Sequence, residues 1–453
     1  MTAHTKNKKI LSLLLIVFIA ADCVQARPAA GLRERVPETL SVKYDFIRYQ
    51  DNYIICDTAS PNLICFIKKW NQVTSSGAGN INIVHIGGSH VQAGTLPHRI
   101  RQNILQAYPG LVGPRGMIFP YSAAAKCNNP ADYRVHCREK VILTRNVYKE
   151  PEYNMGLCGI SITAVDTPTS VQIILNEPRF DFSSSQITVL GESPDNIVPI
   201  IRLQDRDVPP SYINARYHRY VYNLSNSVDS FALFFPCDSG QTFTLTGICL
   251  SNRRAGISYH SIGVNGAAVP DFFKCRYFSD DLKLVKPDLV IFGIGINDAA
   301  GAAFDTLLFR QNYSRLMDSI LAINPDCAFL FITNNDSYRH PSRRTYTVNT
   351  NGLLAREVFY RLARENRAAL WDQFHIMGGL KSMEKWKNAR LAQTDRVHFT
   401  HAGYELVGDL FSQAFLEWIS HFPISTAASG SRINQKTVKQ NPQDSEIYQY
   451  ISY

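Results

Sequence analysis

Apolar positions in the first third of the chain change between helical and strand-like spacing. From Asn62 to Val73 they recur every three to four residues, which predicts an amphipathic helix, and the glycine-containing stretch SSGAGN then interrupts the pattern. The apolar run Ile81 to Ile86 predicts a buried strand, and Leu96 to Tyr108 predicts the helix that follows it. Strand, loop and helix in this order are typical of the start of an α/β sheet.

The pattern changes between about residues 151 and 250. Short alternating runs are separated there by Asn, Asp, Pro, Gly and Ser, and no helical periodicity occurs among them; the runs are TSVQIIL, SQITVL, RYVYNL, FALFF and FTLTGICL. We therefore predict an inserted β-rich module over residues 151–250, with a β-sandwich as its simplest architecture.

Alternation of strand and helix returns from Gly256 onward. The runs PDLVIFGIG and CAFLFIT predict buried parallel strands, and FRQNYSRLMDSILAI and GLLAREVFYRLARENRA predict helices. The β module thus interrupts one α/β domain, whose two parts are predicted at residues 61–150 and 251–423. Residues 27–60 form a predicted leader, and the polar composition of residues 424–453 predicts a flexible tail.

The N-terminus resembles a secretory signal peptide over residues 1–26. Three lysines precede the apolar run Ile10 to Ala21, and VQA at residues 24–26 offers the small residues that a signal peptidase accepts. The run is shorter than the roughly 20 apolar residues of a bilayer span. We therefore expect a secreted or periplasmic protein with no stable membrane span after cleavage. An uncleaved N-terminal anchor is the less favoured alternative. A lipid anchor on Cys23 is less favoured still, because Asp22 precedes that cysteine.

Composition narrows the possible partners. The chain is 45% apolar and 11% aromatic, as expected for a globular protein, and its net charge of +9 falls to +7 when residues 1–26 are removed. No basic run is interleaved with aromatic residues, so nucleic acid is not an expected partner. No Cys-x-x-Cys pair occurs, which argues against a zinc site. We expect no metal and no cofactor.

A serine and a distant acidic residue and histidine are the first candidates for chemistry. Ser89 follows the predicted strand and two glycines, but a serine hydroxyl is a poor nucleophile without a base. Asp395 and His398 are three residues apart, so the carboxylate can accept a hydrogen bond from one imidazole nitrogen while the other faces a serine. Taken singly, each motif is also compatible with an ordinary turn.

Two further motifs offer hydrogen-bond donors. Asn297 follows a predicted strand in GIGINDAA, where its amide could stabilise a developing oxyanion. Gly263, in YHSIGVNGAAVPDF, offers a backbone N–H for the same purpose. A simple turn explains the Asn297 motif equally well when it is considered alone.

Together the four motifs resemble the SGNH hydrolases, or GDSL-type esterases, whose sequence blocks carry Ser, Gly, Asn and His in this order. The resemblance implies that Ser89 is the nucleophile and that Asp395 and His398 form the base pair. It also implies an oxyanion hole made of the Ser89 N–H, the Gly263 N–H and the Asn297 amide. The fold that it implies is a flavodoxin-like three-layer α/β/α core with a parallel sheet.

Two longer stretches, GPRGMIFPYSAAAKCNNPADYR and MGGLKSMEKWKNARLAQTDRVHFTHAGY, resemble a narrower group of secreted bacterial SGNH proteins. These are the peptidoglycan O-acetylesterases, in which a β-sandwich of carbohydrate-binding type is inserted into the hydrolase domain. The resemblance implies a serine esterase that removes O-acetyl groups from peptidoglycan or another carbohydrate polymer. Four residues on loops after predicted strands are expected to line the substrate groove: Tyr121, Asp336, Tyr338 and Arg339.

One position departs from the family pattern. The first block of the family has Gly-Asp-Ser, whereas this chain has Gly87-Gly88-Ser89, and the missing aspartate helps to organise the oxyanion hole in family members. We therefore expect a reduced or altered esterase activity. A catalytically inert glycan-binding protein and an O-acyltransferase remain as alternatives.

Overall fold

The computed structural model describes residues 40, 43–124, 130–204, 206–342 and 345–423. The predicted signal peptide, most of the leader before residue 43 and the predicted tail lie outside these residues. The described strands, in chain order, are β1 (Ile54–Ile55), β2 (Asn80–Gly87), β3 (Gly116–Ile118), β4 (Tyr133–Cys137), β5 (Ile142–Arg145), β6 (Ile160–Val165), β7 (Thr169–Leu175), β8 (Ser184–Glu192), β9 (Ile200–Leu203), β10 (Arg206–Val208), β11 (Tyr212–Asn214), β12 (Arg219–Val228), β13 (Ser230–Phe235), β14 (Thr242–Ser251), β15 (Gly256–Gly263), β16 (Leu289–Gly293), β17 (Ala328–Ile332), β18 (Tyr338–Ser342), β19 (Thr345–Val348) and β20 (Ala369–Trp371).

The helices are formed mainly by the segments on either side of the β-rich region. The described α-helices are α1 (Pro61–Ser76), α2 (Ser89–Gln92), α3 (Thr95–Ala107), α4 (Phe278–Val285), α5 (Thr306–Leu321), α6 (Asn351–Glu365), α7 (Gln373–Ile376), α8 (Ser382–Asn388) and α9 (His401–His421). Within the described residues, no helix has the length and apolar character needed to cross a bilayer.

Six strands form the central sheet in the order β1-β20-β17-β16-β2-β15. All neighbours in it are parallel except β1, which pairs antiparallel with β20 at the edge. The five parallel strands therefore have the order 2-1-3-4-5 of a flavodoxin-like sheet. This topology confirms the predicted fold class.

Alternating side chains along the central strands explain the two helix layers. On β2, Ile81 and Ile83 point into one apolar cluster, which contains the buried faces of α1, α3 and α9. Val84 and Ile86 point into the other cluster, together with α4, α5 and α6. Because successive residues of a strand face opposite sides, a continuous apolar run is what a sheet covered on both faces requires.

The β-rich region folds into two antiparallel sheets. One contains β10, β9, β13, β7 and β4, and the other contains β11, β12, β8, β14, β6 and β5, with β3 also paired to β14. On β13, Phe231, Leu233 and Phe235 are buried and alternate with more exposed residues. Phe235 stacks on Phe243 of β14 with ring centroids 4.8 Å apart, so side chains of the two sheets meet in a shared core.

The two sheets include strands that precede residue 151. Strand β4 pairs with β7, and β5 pairs with β6, each at the edge of its sheet. Along β4, Arg134 and His136 alternate with more buried neighbours, and β5 has only four residues. Edge strands with so few apolar positions give a weak periodic signal, which is why the sequence pattern places the start of the insertion later.

The parallel strands bring the predicted motifs to one edge of the central sheet. Gly87 is in register with Gly263 on β15 and with Gly293 on β16, so the loops after all three strands begin at the same level. Helix α9 begins directly after the Asp395 to His398 segment, and the hydroxyl of Thr400 accepts the Gly403 N–H at its start. Residues far apart in sequence therefore meet at the carboxyl ends of the strands.

Candidate active site

Ser89 is the first residue of the short helix α2, immediately after β2. The carbonyl of Gly88 accepts hydrogen bonds from the N–H groups of Val91 and Gln92, at 3.2 and 3.0 Å. A Cβ atom on Gly87 would lie 2.2 Å from Val91 Cγ2. The two glycines therefore permit a tight change from strand to helix, which leaves the half-buried Ser89 at the sheet edge.

Ser89, His398 and Asp395 form a continuous hydrogen-bonded chain. Ser89 Oγ lies 2.7 Å from His398 Nε2, and His398 Nδ1 lies 2.7 Å from Asp395 Oδ2. Because the carboxylate can only accept, Nδ1 carries the proton, and Nε2 presents its lone pair to the serine hydroxyl. This is the arrangement in which an imidazole can remove a proton from a serine.

The turn between these residues keeps the Asp395 carboxylate ionised. Its Oδ1 atom accepts the N–H groups of Val397 and His398, at 2.9 and 3.0 Å. Partial burial by itself raises the pKa of Asp395, but the hydrogen bonds from the His398 side chain and from the two backbone groups outweigh it and lower the pKa to about 2. The carboxylate is therefore charged at neutral pH and can orient the imidazole.

Gly263 and Asn297 lie against the segment that carries Ser89. A Cβ on Gly263 would be 2.3 Å from Gln92 N and 2.9 Å from the Gly88 carbonyl oxygen, so only glycine fits there. The Asn297 amide nitrogen would be 3.2 Å from a Cβ on Gly88. The structure thus brings all four predicted motifs together around Ser89.

The surroundings of Gly88 show how Asn297 is held without the family's aspartate. Asn297 Nδ2 donates to the carbonyl oxygen of Ala267 at 2.9 Å. A Cβ on Gly88 would also lie 3.5 Å from that oxygen and 3.8 Å from the Val264 carbonyl oxygen. A backbone carbonyl therefore accepts one amide hydrogen of Asn297, and the second amide hydrogen is left for another acceptor.

The four residues predicted to line a groove have different environments. Tyr121 is buried, and its hydroxyl donates to the Gly263 carbonyl at 3.2 Å. Asp336 is also buried; its carboxylate accepts the Met383 N–H at 3.0 Å, and burial raises the pKa of Asp336 to about 6. These two side chains therefore pack inside the protein under the loops at the sheet edge and are not exposed at the surface.

Tyr338 and Arg339 are half-buried on β18, which forms a hairpin with β19. The Tyr338 N–H donates to the carbonyl oxygen of Arg396, between Asp395 and His398, at 3.2 Å. This hairpin therefore lies beside the proposed base pair. The sequence pattern did not predict the hairpin or its contact with residues 395–398, because the contact joins Tyr338 to Arg396, 58 positions later.

His90 is a neighbour of the site that sequence reasoning did not select. Its ring centroid lies 5.4 Å from that of His398, and its Nδ1 atom is 2.9 Å from the Tyr404 hydroxyl. Burial, with a smaller contribution from the charge of His398, lowers the pKa of His90 to about 3. His90 is therefore neutral and forms part of the wall behind His398.

Within the part of the chain that the structure describes, no group of three or more His, Cys, Asp or Glu side chains is arranged to hold a metal ion. The eight cysteines in that part are unpaired, and Cys23 and Cys127 lie outside it. The absence of a cofactor remains a prediction from the sequence.

Comparison with known proteins defines the class of the chain. Residues 247–406 match the GDSL-like Lipase/Acylhydrolase family. The match includes Gly263, Asn297, Asp395 and His398, whereas Ser89 lies before it, on the other side of the inserted β module. Residues 247–406 are therefore similar to the GDSL-like lipases and acylhydrolases. This confirms the resemblance to SGNH hydrolases and the prediction of an ester-hydrolysing enzyme.

Solved structures with the same fold include a peptidoglycan O-acetylesterase, which is 20% identical and has a TM-score of 0.66. The alignment covers 81% of this chain and 99% of that protein, so the likeness extends over both the core and the insertion. An acetyl xylan esterase (20% identity, 34% and 79% coverage) and a GDSL-like lipase from Bacteroides thetaiotaomicron (21% identity, 35% and 76% coverage) align with TM-scores of only 0.27 and 0.28. Among curated proteins, no sequence matches the chain.

Proposed function

We propose that this protein is an exported serine esterase that removes O-acetyl or other short acyl groups from a carbohydrate polymer such as peptidoglycan. The observation that carries the proposal is the 2.7 Å contact between Ser89 Oγ and His398 Nε2, with Asp395 on the opposite side of the ring. A serine at the carboxyl edge of a parallel sheet with an oriented base has the chemistry of a nucleophile.

The reaction has two steps. His398 Nε2 takes the Ser89 proton while Oγ attacks the ester carbonyl, and the oxyanion is held by the N–H groups of Ser89 and Gly263 and the amide of Asn297. The tetrahedral intermediate expels the sugar oxygen, which takes the proton from His398 and leaves an acyl-serine. Water then gives a proton to His398 and attacks the acyl carbon. The proton returns to Ser89 as the carboxylic acid departs.

Two observations support a polymeric carbohydrate substrate. His398 and Asp395 keep 33% and 35% of their side-chain surface exposed, so the pair lies where a large substrate can approach it. The fold likeness to a peptidoglycan O-acetylesterase extends over nearly all of that protein. Export is supported by the residue pattern at positions 1–26. The net charge of +7 that remains after them is compatible with an acidic wall polymer.

The decisive experiment compares acetate release by the wild type and by Ser89→Ala. The substrates are O-acetylated peptidoglycan, acetylated xylan and a simple acetyl ester. Removing the nucleophile is expected to lower turnover of each hydrolysed ester by at least about 1,000-fold. Ser420→Ala, at an exposed serine on α9, is the matched control and should behave like the wild type. Unchanged turnover in a folded Ser89→Ala variant contradicts the mechanism.

Gly88 is the observation that favours a second candidate, an inert glycan-binding protein. An aspartate at position 88 would bring its carboxylate near the Asn297 amide nitrogen, which would be 3.2 Å from the Cβ atom, as well as near the carbonyl oxygens of Ala267 and Val264. We expect Gly88→Asp, which supplies a further acceptor for the Asn297 amide, to raise turnover by up to about tenfold, and Gly88→Ala, which adds only the Cβ atom, not to raise it. A rise in turnover with Gly88→Asp would mean that the missing aspartate weakens the site. Polymer binding without turnover of any ester would favour the inert binder.

An acyltransferase would use the same residues and differ only in its acceptor. Product analysis in the presence of an added sugar acceptor separates transfer from hydrolysis.

A further inference from the structure

The turn that carries Asp395 and His398 contains a residue in an unusual backbone conformation. Arg396 has a φ of +56°, in the left-handed region that L residues with long side chains rarely adopt. The carboxylate of Asp395 accepts the N–H groups of Val397 and His398, on the other side of Arg396. The backbone at Arg396 therefore determines how the carboxylate and the imidazole face each other.

The Arg396 side chain is anchored on two neighbouring elements. Its Nε atom donates to the carboxylate of Glu384 on α8, and its guanidinium lies 3.9 Å from the ring centroid of Tyr346 on β19. Glu384 also accepts from Lys387 Nζ at 2.5 Å. Only 17% of the Arg396 side chain is exposed, so both anchors hold a largely covered guanidinium.

The main chain of the turn is anchored on the β18–β19 hairpin. The carbonyl oxygen of Asp395 accepts from His340 Nε2 at 2.7 Å, and that of Arg396 accepts the Tyr338 N–H at 3.2 Å. The His340 ring packs edge-on against Tyr346 with centroids 4.2 Å apart. His340, which binds the Asp395 carbonyl, thus contacts Tyr346, which stacks on Arg396.

We propose that Arg396 is a positioning residue, which holds Asp395 in line with His398 through its contacts with Glu384 and Tyr346. The inference rests on the proposed function, because it assigns a task to this turn in the same reaction. Without its side-chain anchors, the backbone at Arg396 is free to leave the left-handed region. The Asp395 carboxylate then turns away from His398 Nδ1, and the imidazole loses its orientation toward Ser89.

The test uses Arg396→Gly, because glycine accepts a positive φ and therefore removes the anchors without adding backbone strain. A misplacement of about 1 Å in a catalytic group can lower a rate by roughly 100-fold. We expect kcat for a simple acetyl ester to fall by about 10- to 100-fold, while KM changes by less than about twofold. Arg396→Lys keeps the charge but loses the planar fork and the flat stacking surface, and should give an intermediate kcat.

The chain offers a matched control at Arg367. This residue also has a positive φ, of +49°, and its Nε atom pairs with Asp57 at 2.7 Å, between helix α6 and strand β20. Arg367→Gly therefore removes the same kind of residue and ion pair away from the site. We expect its kcat and KM to equal those of the wild type.

A second measurement does not depend on turnover. In protein labelled with ¹⁵N-histidine, the Nδ1–H proton of His398, bonded to Asp395, should give a downfield resonance in the wild type and in Arg367→Gly. It should be lost or shifted in Arg396→Gly. If the wild type hydrolyses no ester but this pattern is observed, the proposed function fails while the positioning role stands.

Two results would overturn the inference. The first is an Arg396→Gly variant that keeps both the wild-type kcat and the wild-type resonance. The second is a rise in KM at unchanged kcat, which would assign Arg396 to substrate contact. If Arg396→Gly does not fold, Glu384→Gln provides the same test, because it keeps the size of the partner but removes its charge. An unchanged kcat and resonance in that variant would count equally against the proposal.

Discussion

Two histidine–carboxylate pairs in this protein have nearly the same geometry and different surroundings. His398 Nδ1 lies 2.7 Å from Asp395, and His98 Nε2 lies 2.8 Å from Glu177. The first pair is about one-third exposed at the sheet edge. In the second pair the carboxylate side chain is only 2% exposed.

The second nitrogen of each ring makes the difference. His398 Nε2 faces the hydroxyl of Ser89, which can give up a proton to it. His98 Nδ1 lies 3.2 Å from Arg101 Nη1. A guanidinium can only donate, so Nδ1 of His98 accepts from Arg101, while Nε2 lies between the Glu177 carboxylate at 2.8 Å and the Gln102 side-chain amide at 2.6 Å. Because Nδ1 of His98 already accepts from a guanidinium, it cannot also accept a proton from a serine or a substrate.

The charges around His98 explain its structural role. Asp132 accepts from Arg101 at 2.9 Å and from Arg115, and all three side chains are buried. Burial alone raises the pKa of Asp132, but the charges of Arg115 and Arg101 outweigh it and lower the pKa. Arg101 lies on α3 of the core, whereas Asp132 and Glu177 adjoin strands of the β module. The same residue types therefore lie beside a serine hydroxyl at an exposed edge, and join two modules when they are buried between arginines.

The largest expected effect is on the catalytic side of this comparison. Asp395→Asn removes the charge that keeps His398 in the required tautomer, so kcat for an acetyl ester should fall by about 10⁴-fold. Because the lowered pKa of Asp395 shows that its charge also stabilises the folded protein, a modest loss of unfolding free energy accompanies the fall in kcat. Glu177→Gln is the counterpart in the second pair and should lower stability while leaving kcat at the wild-type value. Steady-state kinetics and urea denaturation of both variants check this, and a comparable loss of kcat in both would refute the distinction.

A smaller effect is expected from the junction cluster. Asp132→Asn leaves Arg101 and Arg115 buried without their shared counter-charge, which should lower the unfolding free energy by about 3–5 kcal/mol. Asp207→Asn is the matched control, because its partner Arg202 is exposed, and it should change stability by less than about 1 kcal/mol. Denaturant titration measures both. Equal small losses would show that the buried charges are not needed to join the modules.

The smallest effect is a pH dependence of stability. Burial, together with the charges of Arg101 and Arg115 and despite those of Asp132 and Glu177, lowers the pKa of His98 to about 4 from its usual value near 6.5. As the pH falls, His98 is therefore protonated in the unfolded chain before it is protonated in the folded protein. The contribution of neutral His98 to the unfolding free energy is fully present above pH 6.5 and is lost as the pH falls toward 4.

Replacing His98 should flatten that dependence. His98→Gln is expected to reduce the slope of the unfolding free energy between pH 6.5 and 4 by at most about 1.4 kcal/mol per pH unit. Other buried histidines, such as His85 and His260, whose pKa values burial lowers to about 3, keep the remaining slope. His401→Gln, at a side chain that is 71% exposed, serves as the control. A slope unchanged by His98→Gln would mean that His98 is already charged in the folded protein.

Much of the core could be predicted from local patterns. The helix predicted from Asn62 to Val73 is α1, and the strand predicted from Ile81 to Ile86 lies within β2. The strand β20 was not predicted, because its three residues are too few to show a period. Strands β4 and β5 were not predicted as part of the insertion, because as edge strands they bury only one side of a short run.

Some features of the candidate site could likewise be predicted from local sequence, and others could not. Asp395 and His398 are three residues apart, so their pairing is a property of one turn and is visible in the sequence. Nothing local indicates that Tyr121 and Asp336 are buried, because loop residues after strands can point either toward the substrate or into the protein. The anchoring of Arg396 by Glu384 and Tyr346 joins three separate segments, and no spacing predicts it.

The sequence by itself determined the order of helices and strands, the presence of a β-rich insertion and the four motifs around a serine. These properties follow from hydrophobic periodicity and from contacts within a few residues. Both can be recognised in a short contiguous segment of the sequence. Only the tertiary structure decided which histidine meets a hydroxyl and which meets an arginine. Ser89 and His398 are 309 positions apart, and burial and partners depend on how distant segments pack against one sheet. The same imidazole and carboxylate therefore acquire their roles from the surroundings that the folded chain provides.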